Sequence, residues 1–337
     1  MAWYEIPNTN AVSIYSALLF GVLTVVFVFR LWLKATCGKF ESKVRLDGKT
    51  VLITGANSGI GKETARDLAK RGARVIMACR TMETANKARD EIIEETKNEN
   101  CIVYPLDLSS FKSIREFAAN VNENEERLDI LIHNAGYANY LTRAVSKDGI
   151  EMTMATNHYG PFLMTHLLID LLKKTAKKNP CRIVVVASKT HTLSYMDPNN
   201  DFHLNPVGHF PPSDLYGNSK FANILFTFEL ARRLAGTNIT SNCLHPGVVD
   251  SGIWRNMPIP VNYVFNIFRS FLKTLEEGIQ TILYVALSDE INGVTGRYFR
   301  NCRYGVPRSD VNNPDWQKAL WDASRRIVKL KANDPFI

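Results

Sequence analysis

Residues 50–61 read Thr-Val-Leu-Ile-Thr-Gly-Ala-Asn-Ser-Gly-Ile-Gly. The apolar run Thr50–Thr54 predicts a strand, and the residues after the turn predict a helix to about Lys70. Glycines at 55, 59 and 61 allow tight backbone geometry and close approach of a pyrophosphate. A helix N-terminus adds free N–H groups and the positive end of its dipole. A glycine-rich turn placed between strand and helix points to a dinucleotide. Gly55, Asn57, Ser58, Gly59, Ile60 and Gly61 are therefore candidate cofactor contacts.

Outward from this turn the chain alternates. Strands are expected at 74–79, 101–106, 128–133, 182–187 and 239–244, with a seventh at 296–299. Helices are expected at 84–96, 111–121, within 152–174, and at 216–234. This β-α-β order predicts a Rossmann-type α/β fold, a doubly wound parallel sheet with helices on both faces. A 337-residue chain with 45% hydrophobic and 22% charged residues fits one large domain plus an extra segment.

The extra segment is N-terminal. Ala11–Phe29 carries no charge and nearly spans a hydrocarbon core of about 30 Å. Arg30, Lys34, Lys39, Lys43, Arg45 and Lys49 follow, and only Glu5 carries a side-chain charge before it. That asymmetry predicts a transmembrane helix with the downstream domain in the cytosol. A cleaved signal peptide fits less well, because the residues before the apolar run include no Lys or Arg. The expected layout is 1–10 short segment, 11–33 anchor, 34–48 basic linker, 49–310 catalytic domain and 311–337 C-terminal segment.

The net charge of +8 suits an anionic membrane face or an anionic cofactor. No zinc-finger spacing or recognition motif supports nucleic acid. The six cysteines form no Cys-x-x-Cys pair and no Cys/His cluster, so no metal is expected. Cys79, Cys101, Cys181 and Cys243 lie in or beside strand-like runs and read as buried thiols of a reducing compartment. Cys37 follows the apolar segment, where palmitoylation is an option and an unmodified thiol the plainer reading.

Tyr216 and Lys220 stand four apart in a helical stretch and share one face. A neighbouring ammonium is expected to favour the phenolate and lower the tyrosine pKa from about 10. At the end of the second strand, where an acid would hold an NAD ribose, the chain has Met77-Ala78-Cys79-Arg80. The Arg80 guanidinium suits a 2′-phosphate, so NADP(H) is the expected cofactor, with Lys62 as an added positive charge.

The spacing Gly-x-x-x-Gly-x-Gly, combined with Tyr216-x-x-x-Lys220, resembles the short-chain dehydrogenase/reductase family over about 46–304. Further matches fall in chain order: Asp107 and Leu108, Asn134-Ala135-Gly136, Asn157, Ser188, and Pro246-Gly247 with Val249 and Ser251. The resemblance implies that Tyr216 donates a proton to a carbonyl oxygen, and that Lys220 tunes Tyr216 and binds the nicotinamide ribose. It implies that Ser188 hydrogen-bonds the substrate and Asn157 holds a water. Asp107 would contact adenine, and the other matched residues would line the cofactor.

The anchor, the run 54–65, Ala78-Cys79-Arg80, Ser219–Phe226 and Glu276–Thr281 look like membrane-bound, NADP-using retinol dehydrogenases that reduce retinal. That likeness implies a lipophilic aldehyde or retinoid substrate, contact with membrane lipid, and the endoplasmic reticulum, or else a mitochondrial membrane. It leaves a homodimer open as the assembly. An apolar segment at about 251–275 stands where the family has its substrate lid. Steroid or ketone reduction, and a non-catalytic NADP-binding scaffold, are the alternatives. His133, Lys189 and Asp250 depart from the family pattern. The Gly-x-x-Gly-x-x-Gly turn of sugar-nucleotide epimerases is absent, and His191, His203 and His209 have no acid–nucleophile pattern for a hydrolase triad.

Overall fold

The computed structural model describes residues 9–198, 200, 210–250 and 271–337. The chain divides into two compact units, Met1–Cys37 and Gly38–Ile337. In the first, α1 (Thr9–Ala35) is a helix of 27 residues, about 40 Å long at 1.5 Å per residue. The Thr24 and Thr36 hydroxyls donate to the carbonyls of Phe20 and Trp32, which satisfies them within the helix. Leu18, Phe20, Phe27 and Leu31 are exposed. The expected span at 11–33 lies inside α1. Among the described residues, however, no helix is long and apolar enough to cross a membrane. Several side chains of α1 lie outside the described set.

The second unit is built on β1 (Thr50–Thr54), α2 (Gly59–Lys70), β2 (Arg74–Cys79), α3 (Met82–Thr96), β3 (Cys101–Pro105), α4 (Phe111–Asn124) and β4 (Ile130–His133). There follow α5 (Gly160–Ala176), β5 (Cys181–Val186), α6 (Pro212–Arg233), β6 (Ile239–His245), α7 (Leu275–Leu287), β7 (Tyr298–Arg300), β8 (Arg303–Tyr304) and α8 (Pro314–Ile327). The sheet order is β3-β2-β1-β4-β5-β6-β7-β8. All neighbouring pairs are parallel except β7 and β8. The strand order reverses between β1 and β4, and such a switch opens a crevice at the carboxyl ends of the strands.

Alternate residues of each strand feed opposite faces. Leu52, Ile76, Leu131, Ile183 and Val185 join one core with Phe162, Phe226 and Trp321. Val51, Ile53, Val75, Met77, Ile132 and Val184 join the other with Leu68 and Ile282. Both faces of the sheet are thus covered, as the near-continuous apolar strands require.

Two elements differ from expectation. The seventh strand continues through Asn301 and Cys302, at φ 49° and 53°, into β8. Two consecutive left-handed residues make the tight hairpin, and neither is a glycine that would have announced it. The C-terminal segment contains α8, whose Trp321 is fully buried. The Arg233 guanidinium lies 4.4 Å from the Trp321 ring centre, and Arg115 pairs with Asp334 at 2.7 Å.

Candidate active site

The turn after β1 opens into a cavity of about 340 Å³ at the sheet switch point. A second cavity, of about 180 Å³, shares Gly55, Asn57, Ala135 and Gly136 with it. The two form one cleft along the carboxyl ends of the strands.

Gly55 is left-handed at φ 68°, and a Cβ on Gly61 would lie 2.3 Å from the Gly55 carbonyl oxygen. Only glycine at 61 lets α2 start this close to β1. Ser58 makes no side-chain cap, and the first turn of α2 holds no acid, so the helix terminus remains electropositive toward the cleft. Asn134 ties this turn to β4: its Nδ2 donates to the Thr54 carbonyl at 2.9 Å, and the Thr54 hydroxyl accepts from the Asn134 and Ala135 amides, both at 3.0 Å. Asn134 Oδ1 is buried without a partner. These groups suit the phosphates and sugars of a dinucleotide.

The smaller cavity is lined by Arg80, Asp107 and Leu108. Arg80 is exposed at the end of β2. Asp107 Oδ1 accepts from the Ser109 amide and hydroxyl at 3.0 and 2.7 Å, which shapes its own loop. Lys62 does not add the expected charge here: its ammonium pairs with Glu91 of α3. The two residues face each other across the α2–α3 contact, and the carboxylate captures the lysine.

In the larger cavity the segment after β5 places Ser188, and α6 brings Tyr216 and Lys220 to the same wall. The Ser188 hydroxyl lies beside the Tyr216 phenol and accepts from the Thr190 amide at 3.3 Å. Its position is fixed from behind. His191 Nδ1 lies 2.7 Å from the Ser188 carbonyl oxygen, and Nε2 lies 3.2 Å from the Arg308 amide nitrogen. A carbonyl only accepts and an N–H only donates, so His191 is neutral with its proton on Nδ1. Burial lowers its pKa and favours that form.

The expected electrostatics of the pair differ. Lys220 is 2% exposed, and burial lowers its pKa to about 8. Its ammonium donates to the Val186 carbonyl at 2.8 Å and stands 5.5 Å from the Tyr216 ring centre. Tyr216 is raised above its ordinary value by burial first and by Tyr140 second, while the Ser188 hydrogen bond lowers it. Desolvation thus outweighs the neighbouring ammonium, whose proton is committed to a backbone carbonyl.

Asn157 is engaged by protein groups. It lies on a π-helical segment, Ala155–Tyr159, ahead of α5, an irregularity common at functional sites. Its Oδ1 accepts from the Tyr137 amide at 2.7 Å, and its Nδ2 donates to the Tyr137 carbonyl and Ser219 hydroxyl at 2.8 and 2.9 Å. Ser219 in turn donates to the Tyr216 carbonyl at 2.8 Å. The side chain thereby braces the helix of Tyr216.

Pro246, Gly247 and Val249 line the same cavity. Lys273 holds this loop. Its ammonium donates to the Pro246 carbonyl at 3.3 Å and to Asn301 Oδ1 at 2.8 Å. Its amide donates to the Val248 carbonyl at 2.9 Å, and its carbonyl accepts from the Asp250 amide at 3.1 Å. A Cβ on Gly247, at φ 104°, would lie 2.5 Å from the Lys273 chain. Ser251, His203, His209 and positions 251–270 of the expected lid lie outside the described residues. Sequence reasoning did not anticipate Tyr140 or His245, which also line the cavity. Tyr140 stands 6.3 Å from Tyr216, ring to ring, and no spacing in the chain signals that meeting.

Comparison with known proteins places this geometry. Residues 49–197 match the short chain dehydrogenase family model. The chain is 44% identical to human retinol dehydrogenase 14 over 85% of its length and 88% of that protein. A crystal structure of a putative uncharacterized protein from Mycobacterium paratuberculosis superposes with TM-score 0.65 at 30% identity, covering 87% of this chain and 97% of that one. The RhlG/NADP active-site complex of Pseudomonas aeruginosa superposes with TM-score 0.60 at 27% identity, covering 77% and 97%.

Proposed function

The chain belongs to the short-chain dehydrogenase family and is an oxidoreductase of alcohols and carbonyls that binds a nicotinamide cofactor; from this premise we propose that it is an NADP(H)-dependent reductase of lipophilic carbonyls such as retinaldehyde. The observation that carries this reading is the meeting of Ser188, Tyr216 and Lys220 on the cleft into which the Gly55–Gly61 turn opens.

Bound there, the cofactor supplies a hydride for a carbonyl carbon. The chain's own groups do the rest. The first turn of α2 and Asn134 would hold the phosphates and sugars. Arg80 would meet the 2′-phosphate at the outer end, where no acid stands at the end of β2. The Ser188 hydroxyl and Tyr216 phenol would receive the carbonyl oxygen as charge grows on it. The raised Tyr216 pKa keeps the phenol protonated at neutral pH, so its proton would pass only to the strongly basic oxygen that forms as hydride arrives. Lys220 would reload it, with a proton that burial has made easier to release.

The retinoid preference draws on the likeness to human retinol dehydrogenase 14. Membrane attachment draws on the uncharged stretch 11–29, the basic residues after it, and the exposed Leu18, Phe20, Phe27 and Leu31 of α1. We place the catalytic domain on the cytosolic side, at the endoplasmic reticulum by the same likeness. Steady-state kinetics with retinaldehyde test the cofactor assignment. kcat/KM for NADPH is expected to exceed that for NADH by at least about tenfold, a guanidinium–phosphate contact. Preference for NADH would overturn it.

A further inference from the structure

Beyond Ser188 the cavity wall holds three polar groups with no work in the reaction described above. Lys189 lines the cavity mouth as an exposed residue, and its ammonium has no ion pair or hydrogen bond among the described residues. The Thr190 hydroxyl and His245 Nδ1 line it too, and both atoms are buried without a partner. Register explains how they come together. Val186 pairs with Leu244 across β5 and β6, and the Ala187 amide donates to the Leu244 carbonyl at 2.8 Å. His245, the last residue of β6, therefore lies at the carboxyl ends of the strands, where Ser188, Lys189 and Thr190 follow β5.

Buried polar atoms are rarely left unpaired, because each forfeits a hydrogen bond to water. Two such atoms beside an unpaired ammonium imply a polar occupant. The titratable groups facing His245 are the cations Lys273, Lys189 and Arg300 and the neutral His191, with no carboxylate among them. Lys273 is already engaged by Asn301 and the Pro246 carbonyl. His245, held neutral by burial at a pKa of about 3, can offer a hydrogen bond but no charge. Among the described residues, the wall thus presents the exposed Lys189 ammonium and two neutral hydrogen-bonding groups. A monoanion with two acceptor oxygens matches that set.

We propose that Lys189, Thr190 and His245 form a carboxylate-recognition subsite, and that the enzyme prefers carbonyl substrates that carry a carboxylate. The proposal rests on the oxidoreductase reading of the same cleft and narrows its substrate class. Lys189 adjoins Ser188 in the chain, so the acid sits a few carbons from the reacting carbonyl. The carboxylate is a handle and is unchanged by the reaction. The departure at Lys189 from the family pattern thereby acquires a purpose.

The test uses the full chain in detergent with NADPH and a series of ω-oxo carboxylic acids of increasing length, each beside its methyl ester. For at least one length the acid should exceed its ester in kcat/KM by about tenfold or more, the scale of a charge-assisted hydrogen bond. Lys189→Met should bring that ratio close to one and Lys189→Glu should invert it, with KM for NADPH unmoved. Thr190→Val should lower the ratio without abolishing it. Esters reduced as well as the acids at every length, or an unchanged ratio in Lys189→Met, would overturn the subsite and leave the reductase reading standing. A shift in KM for NADPH would assign the three groups to the cofactor and also overturn it. Turnover of neither acid nor ester, nor of retinaldehyde, would remove both readings together.

Discussion

Lys220 shows how the site trades stability for chemistry. Its pKa falls from 10.5 to about 8 because burial penalises the ammonium. The unfolded chain therefore binds the proton more tightly. The penalty is full below about pH 8 and fades as pH rises toward 10.5, so this residue makes stability increase with pH over that window. Lys220→Met should stabilise the fold at pH 7 by about 1–3 kcal/mol, after allowing for the lost hydrogen bond to Val186, while removing turnover. Thermal unfolding at pH 7 and pH 10 checks both parts: the gain should shrink at the higher pH. A variant less stable than wild type at both would refute the account of Lys220. Spacing put Tyr216 and Lys220 on one helix face, and the upstream glycine turn made that pair legible. It misjudged the balance of forces, because burial is a property of the folded neighbourhood. The same limit hid Tyr140, which is distant in sequence from Tyr216.

At the scale of elements, the glycine turn and the loop after β6 make opposite walls of the cleft, and each depends on a close approach. Gly61→Ala would press a methyl group against the Gly55 carbonyl, 2.3 Å away. Backbone on both sides leaves little room to yield. The variant should lose NADPH binding in a fluorescence titration even where it folds, and unchanged affinity would contradict the packing argument. Lys273 makes a subtler case. Lys273→Met keeps the chain that packs on Gly247 but drops the bonds to the Pro246 carbonyl and Asn301. KM for NADPH should rise several-fold, about 1 kcal/mol, with a smaller change in kcat. The β1 turn was readable because its glycines are local signals in a strand–helix context. The Lys273 strut was not, since it joins two loops and the tip of a hairpin whose Asn301 and Cys302 carry no glycine signature.

Across the whole molecule, a doubly wound sheet was expected from alternation and is present, because apolar strands buried on both faces admit few other solutions. The C-terminal helix α8 was not anticipated, although it seats the largest fully buried side chain of the described residues. Trp321→Ala should cost about 3–5 kcal/mol, measurable by denaturant unfolding, and a loss below 1 kcal/mol would deny α8 its place in the core. For α1, alkaline carbonate extraction of membranes holding the full chain should leave it in the pellet, and release to the supernatant would reject an integral anchor. The central claim is that Tyr216 supplies the proton in an NADP(H) cleft. Its most direct test is Tyr216→Phe with NADPH binding and retinaldehyde turnover measured on the same preparation. The account predicts near-normal NADPH affinity and loss of most turnover. Near-normal turnover in that variant would contradict it.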